Sequence, residues 1–203
     1  MSRVAVIADS HLGGPGGDAA PLVAQLAALR RLRARGVRVD YVEGNRDFFL
    51  AGSPYADAFD RVGDEVAFEA GGRRYLAVHG DGLDARDWKY RFWRRASKSR
   101  LSRLVVSRTP RRLARRLVES AERSLSRTNL EHKRHVPEAV LRGYGRRRLA
   151  EGHDELLLGH FHEARRWAVD GGVVRLVEAW YTSRRVEWLP ERAARGAATE
   201  GGG

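Results

Sequence analysis

Val42-Glu43-Gly44-Asn45-Arg46-Asp47-Phe48-Phe49 joins the apolar run 37–42 to an aromatic pair through a Gly-Asn-Arg-Asp turn. An amide, a guanidinium and a carboxylate stand side by side where a strand should end. In α/β proteins the loops that follow strand ends are where sites are built. Three more short polar clusters close apolar runs in the same way. Asp9-x-His11 follows residues 4–8, His79-Gly80-Asp81 follows 75–78, and Gly159-His160-Phe161-His162 follows 156–158. Alternate residues of an extended segment point the same way, so Asp9 and His11 address one point, as do His160 and His162. Imidazole with carboxylate and amide oxygen suits a borderline divalent cation such as Mn, Fe, Zn or Co. Four of the seven histidines fall in these clusters; His132, His135 and His153 read as surface residues.

Outward from that turn, strands alternate with helices. Residues 4–8 predict a buried strand, followed by the Gly-rich loop 13–17. Asp18 caps a helix through about residue 35, with Leu22, Leu26, Leu29 and Leu32 at helical spacing and Gly36 as its stop. A second strand spans 37–42. Gly71-Gly72, between Phe68 and the run 75–78, predicts a hairpin, and 168–188 has β character around Asp170-Gly171-Gly172. This alternation favours the α/β class. The middle of the chain, from Trp88 to about Leu149, reads as helical and cationic. Thr109-Pro110 pairs a capping residue with proline at the first helical position. Leu113, Leu117, Ala121 and Leu125 then recur every four residues, crowded by Arg111, Arg112, Arg115, Arg116 and Arg123.

The 203 residues include no cysteine, which excludes disulfides and thiolate metal sites, and 32% charged with 42% hydrophobic residues fits a soluble globular protein. The run 4–8 is too short for a signal-peptide core or a membrane span. Charge is distributed unevenly. Residues 86–148 hold 21 Lys and Arg against 5 Asp and Glu, a surplus of 16 in a chain of net charge +12, so the remainder together carries −4. A basic segment of that kind suits an anionic lipid surface or another polyanion, or is simply a solvated arginine-rich face. Charge alone leaves a nucleic-acid partner open.

The ordered set D-x-H, G-N-[HR]-D, H-G-D, G-H-x-H resembles the calcineurin-like metallophosphoesterase superfamily. Arginine after the asparagine, in "GNRDFF", resembles the UDP-2,3-diacylglucosamine diphosphatases of lipid A synthesis in particular. The resemblance covers about residues 4–189. It implies a β-sandwich flanked by helices, formed by 1–85 and 150–192, with a basic helical cap inserted at 86–149 and a disordered tail at 193–203. It implies two divalent cations, manganese being the expected metal, one held by Asp9, His11 and His162 and the other by Asn45, His79 and His160. Asn45, Arg46 and His79 would be the catalytic set. Arg46 would bind substrate phosphate, as a fixed guanidinium pairs well with phosphoryl oxygens. Ser126, Asn129 and Lys133 of the cap, with His160, would contact substrate. The activity implied is hydrolysis of the pyrophosphate of UDP-2,3-diacylglucosamine to UMP and 2,3-diacylglucosamine 1-phosphate. Trp88, Tyr90, Phe92, Trp93 and the cluster 101–106 would then line an acyl groove, rest on lipid or pack cap against core. The expected location is cytoplasmic, peripheral on the inner membrane through the basic cap, and nucleic acid is not the expected partner.

One motif of the superfamily is missing. G-D-x-x-D, whose first aspartate bridges the two metals, normally lies between D-x-H and G-N-[HR]-D. Here only Gly17-Asp18 offers the pair, followed by Ala20-Pro21, and Asp40 sits inside a strand. Between His11 and Asn45 lie 33 residues, and a single βαβ unit takes roughly 30. The stretch "LAALRRLRARGVRVDYVEGN", residues 26–45, reads as if the helix before the missing strand had been joined to the helix after it. Neighbouring strands would then keep exposed edges.

Overall fold

The computed structural model describes residues 3–8, 19–44, 50, 55–83, 108 and 136–190. Its strands are β1 (Val4–Val6), β2 (Asp40–Val42), β3 (Arg61–Gly63), β4 (Glu65–Ala70), β5 (Arg73–Val78), β6 (Glu155–Leu158), β7 (Arg165–Val169), β8 (Gly172–Leu176) and β9 (Glu187–Leu189). Its helices are α1 (Ala19–Ala34), α2 (Glu138–Ala150) and the short α3 (Trp180–Ser183), with a 3-10 turn at Ala56–Ala58. The α/β class expected from the alternation of elements is the class observed.

The largest sheet has the order β4-β5-β6-β8-β7. Its three inner strands are parallel and its two outer strands run antiparallel to their neighbours. Both hairpins turn where the sequence supplies residues that accept positive φ. Gly71 and Gly72 lie at φ +58° and +75°, and Asp170 and Gly171 at +46° and +85°, the backbone that a two-residue hairpin loop demands. The central strand β6 is buried at every position, as a parallel strand covered on both faces should be.

Strand alternation splits the apolar side chains between two faces. Leu76, Leu156, Leu158, Val174, Leu176, Trp167 and Val169 pack on one face with Leu141 and Leu149 of α2. Tyr75, Leu157, Val177 and Ala70 pack on the other with Val4, Val6 and Leu189 of the antiparallel β1–β9 pair. The sheet therefore lies between a helix and a second β layer. Helix α2 approaches β8 so closely that a Cβ on Gly145 would stand 2.2 Å from Val174 Cγ2. This helix falls within the segment that the sequence assigns to the cap, yet its buried stripe of Leu141, Gly145 and Leu149 places it on the sheet.

The buried ends of β6 and β8 carry an unexpected charge. Glu155 is fully buried and forms an ion pair with Arg175 at 2.6 Å, while Arg175 also reaches Glu187 of β9 at 3.4 Å. The pair ties the sheet to the β1–β9 layer.

Strands β2 and β3 form a separate parallel pair. Helix α1 packs there: Leu26, Ala58 and Phe59 are buried together with Leu29, Val39, Tyr41, Leu50 and Val62 against them. The helix stops as expected at Gly36, φ +82°. Val37 N–H donates to Leu32 O at 3.1 Å and Gly36 N–H to Arg33 O at 2.8 Å, the double bond of a Schellman ending. Among the described residues β1 and β2 share no sheet; each has a single ladder partner, β9 and β3. That is the arrangement expected if a strand between them is missing.

Candidate functional site

The described candidate residues His79, His160 and His162 emerge from one end of the five-stranded sheet. Strands β5 and β6 are parallel neighbours in the register Val78↔Leu158, so His79 and the loop Gly159–His162 leave their carboxyl ends together. Val177, just past β8, donates its N–H to Leu158 O at 2.8 Å. Ala8 bridges Ala179 in parallel fashion, and Trp180 N–H donates to Ala8 O at 2.8 Å. The carboxyl end of β1 is thereby fixed beside those of β6 and β8, with Asp9 the next residue in the chain. Gly44, beyond β2, lies against His79: a Cβ on it would meet ring atoms Cε1 and Nε2 at 3.0 Å. The strand ends that precede all four motifs therefore lie at one end of the fold, the end at which open α/β sheets bind ligands.

The structure brings His79 and His160 together, ring centroids 5.3 Å apart and nearly edge to face at 69°. His160 and His162 both adopt the left-handed region, φ +69° and +58°. A non-glycine residue held there costs about 1–3 kcal/mol and persists only where its surroundings impose it, most often at functional sites. Asp81 is buried beside them in sequence. Of the remaining expected residues, Asp9, His11, Asn45, Arg46, Asp47, Ser126, Asn129 and Lys133 lie outside the described residues, as do Asp18, the cap aromatics and most of 86–149. His153, expected at the surface, is half-buried with its Nδ1 shielded from solvent.

A divalent metal fits what is present. His79 Nε2 is buried without a hydrogen-bond partner among the described residues. An imidazole nitrogen left so forfeits the free energy of desolvation unless an ion or water satisfies it. No three His, Cys, Asp or Glu side chains among the described residues close a metal site by themselves, so a complete site needs donors from outside them, where Asp9, His11 and Asn45 are. Asp40 is not one of those donors. Its carboxylate takes Arg61 Nη2 at 2.6 Å and Arg38 Nε at 3.1 Å. Desolvation works to raise its pKa, but the two guanidinium groups outweigh it and hold the carboxyl below the usual range. With Oδ1 and Oδ2 each engaged by a guanidinium, Asp40 is not placed to serve as the bridging carboxylate that the family resemblance implies.

Two contributors were not singled out from the sequence. Gly44 leaves the space that the His79 ring occupies, and its signal was its place directly before Asn45. Phe161, the residue between the two histidines, stands edge-on to His160 with centroids 5.2 Å apart. Its signal was an aromatic at a position that the motif leaves free.

Comparison with known proteins supports the motif reading. No family model matches the chain. A UDP-2,3-diacylglucosamine hydrolase of Pseudomonas putida is 35% identical over 141 residues, covering 62% of this chain and 56% of that protein. One of Edwardsiella ictaluri is 31% identical over 179 residues, covering 81% of this chain and 66% of that protein. The chain thus spans between about half and two thirds of these relatives' length. A solved structure from Streptococcus pneumoniae, described as a predicted phosphoesterase, matches at 12% identity and a TM-score of 0.36, covering 88% of this chain and 74% of that one; at that score the likeness carries no weight.

Proposed function

Because the chain is a homologue of the UDP-2,3-diacylglucosamine hydrolases, we propose that it is a metal-dependent phosphoesterase acting on the pyrophosphate of a lipid-linked UDP sugar. UDP-2,3-diacylglucosamine is the substrate, and UMP with 2,3-diacylglucosamine 1-phosphate are the products. The observation that carries this reading is His79 Nε2, buried beside His160 with no hydrogen-bond partner among the described residues, at the end of the fold where the strands preceding all four motifs finish.

His79, His160 and His162, with Asp9, His11 and Asn45, would hold divalent cations, manganese in this reading. Such cations supply charge neutralisation on the phosphoryl oxygens and a water of lowered pKa. The protein's own part is orientation. Gly44 lets the His79 ring pack without a methyl in its way, and the left-handed backbone at 160 and 162 fixes where the two imidazoles start. Arg46, next after Asn45, would pair with phosphate, and the basic segment 86–149, with Ser126, Asn129 and Lys133, would meet substrate and an anionic membrane face.

The test is release of UMP from UDP-2,3-diacylglucosamine with Mn²⁺, comparing the native chain with His79→Ala. The native chain should turn over only with a divalent cation, and His79→Ala should abolish turnover. A folded native chain that loads metal and releases no UMP overturns the reading. One observation favours a second reading: β1 and β2 lie in separate ladders with a short interval between their motifs. A chain that lacks the bridging carboxylate would keep anionic-lipid binding without catalysis. Liposome binding that survives Asp9→Ala, with no metal-dependent turnover, identifies that case.

A further inference from the structure

We infer that Phe161 is a positioning residue, an aromatic wedge that holds His160 and His162 in their left-handed conformations and so presents both imidazoles to the site. The inference rests on the reading of these histidines as ligands for the specific arm of its test that concerns metal, and on geometry alone for the rest.

His160 sits at the centre of a three-residue turn: Phe161 N–H donates to Gly159 O at 2.8 Å across it, with His160 at φ +69°. A γ-turn with positive φ at its centre is rare and strained. Two residues on, His162 is left-handed as well. Histidine enters this region more readily than most side chains but less readily than glycine, so two such residues within three still carry a cost. Something between them must compensate.

Phe161 is the residue between. Its ring packs against the α2 face of the sheet, alongside Val78, Leu83, Val136 and Tyr144. It also stands 81° from the His160 plane, in the edge-to-face arrangement that aromatic pairs prefer. Gly80 lies beside the ring at ordinary contact distance. A Cβ at that position would meet Phe161 Cε2 at 3.4 Å, and Gly80 itself is at φ +99°. The half-buried ring therefore rests against both the core and the His79-Gly80-Asp81 turn, and it couples the two histidine-bearing loops through one side chain. Burial of the ring offsets the strain on both sides of it.

The test uses three variants of the full chain, Phe161→Leu, Phe161→Ala and Phe161→Tyr, each read twice. In the metal-free protein, exchange of the Phe161 amide and its neighbours reports whether the turn holds, corrected for the side chain's effect on the intrinsic rate. Leucine keeps apolar volume but loses the flat ring, so exchange at 160–162 should rise about tenfold while the β5 and β6 amides stay protected. Tyrosine keeps the ring and should behave as the native chain does. The second reading is Co²⁺ titration followed by visible absorption. Affinity should fall about 10–100-fold in Phe161→Leu, the usual cost of losing a ligand's support, and recover in Phe161→Tyr. Native exchange at 160–162 in a folded Phe161→Leu or Phe161→Ala protein overturns the wedge. If the native chain binds no Co²⁺ while the variants still loosen the turn, the wedge stands and the metal reading under Proposed function falls.

Discussion

The five-stranded sheet and the β2–β3 pair meet where Gly44 lies against His79, and they differ in how they are held. The sheet is covered on both faces by apolar layers, with nine buried residues in the α2-side cluster and five in the β1–β9-side cluster. Among the described residues, the β2–β3 pair has three buried residues in its cluster. Around them lie ion pairs at the surface: Arg30–Asp57 at 2.6 Å, Arg33–Asp60 at 2.7 Å and Arg61–Asp40 at 2.6 Å. Exposed pairs of this type contribute little each. The histidine side of the site therefore follows strands with a larger apolar core, while Asn45 and Arg46 follow a strand with a smaller core and ion pairs at its rim.

The largest expected effect distinguishes the halves directly. Leu156 is fully buried in the central strand and Leu26 is almost fully buried beneath the β2–β3 pair. Leu156→Ala should destabilise the whole protein by about 3–5 kcal/mol, whereas Leu26→Ala should cost about 2–3 kcal/mol, the neighbourhood of a small cluster relaxing more easily. Denaturant unfolding followed by amide exchange checks both. Leu156→Ala should raise exchange throughout, and Leu26→Ala chiefly in α1, β2 and β3. If Leu26→Ala loosened the five-stranded sheet equally, the two regions would be one cooperative unit and the comparison would break.

The sequence made the five-stranded half legible and the other half only partly so, for physical reasons. Hairpin turns, the buried run of β6 and the H-G-D and G-H-x-H motifs are local signals, and each appears in the structure where the residues placed it. The helix stop at Gly36 was equally local. What escaped was decided by distant packing. Nothing near Glu155 announces that Arg175, twenty residues on, will pair with it inside the protein. The assignment of α2 to the sheet depended on Gly145 meeting Val174, and the shielding of His153 on tertiary contacts. Asp40 could be rejected as a bridging ligand from its place in a strand, but its arginine partners became visible only once β2 lay beside β3. Phe161 needed the opposite turn at Gly80 to be seen as a wedge.

A smaller effect tests the joint between the halves. Gly44 ends the β2 side and His79 ends the β5 side, and a methyl on Gly44 would stand 3.0 Å from the imidazole. Gly44→Ala should therefore displace His79 or push the β2 end away. Its cost in stability should be about 1 kcal/mol, at the low end for overpacking because the β2 side gives way. Metal affinity should fall about tenfold, within the range seen when a ligand's support is disturbed. Mn²⁺ or Co²⁺ titration beside thermal unfolding reads both quantities. Unchanged affinity would mean that the contact between the halves is incidental to the site.

The smallest effect concerns the rim alone. Asp57 is held below the usual carboxylate range by its hydrogen bond from Arg30, and Asp60 by Arg33 with help from the Val39 N–H. Asp40 is lowered too, its two arginines overcoming desolvation. A carboxylate whose folded pKa lies below the unfolded value, about 3.9 for aspartate, contributes its stability fully above that value. The contribution fades as pH falls through the folded pKa. Acidification from pH 5 to pH 3 should thus raise amide exchange in β2 and β3 before it does so in β5 and β6. Asp40→Asn should cost no more than about 1 kcal/mol at neutral pH and flatten part of that acid response. High salt at neutral pH should loosen the same strands, as screening weakens exposed pairs. Were the five-stranded sheet to loosen first on acidification, the rim charges would not be what holds the β2–β3 pair in place.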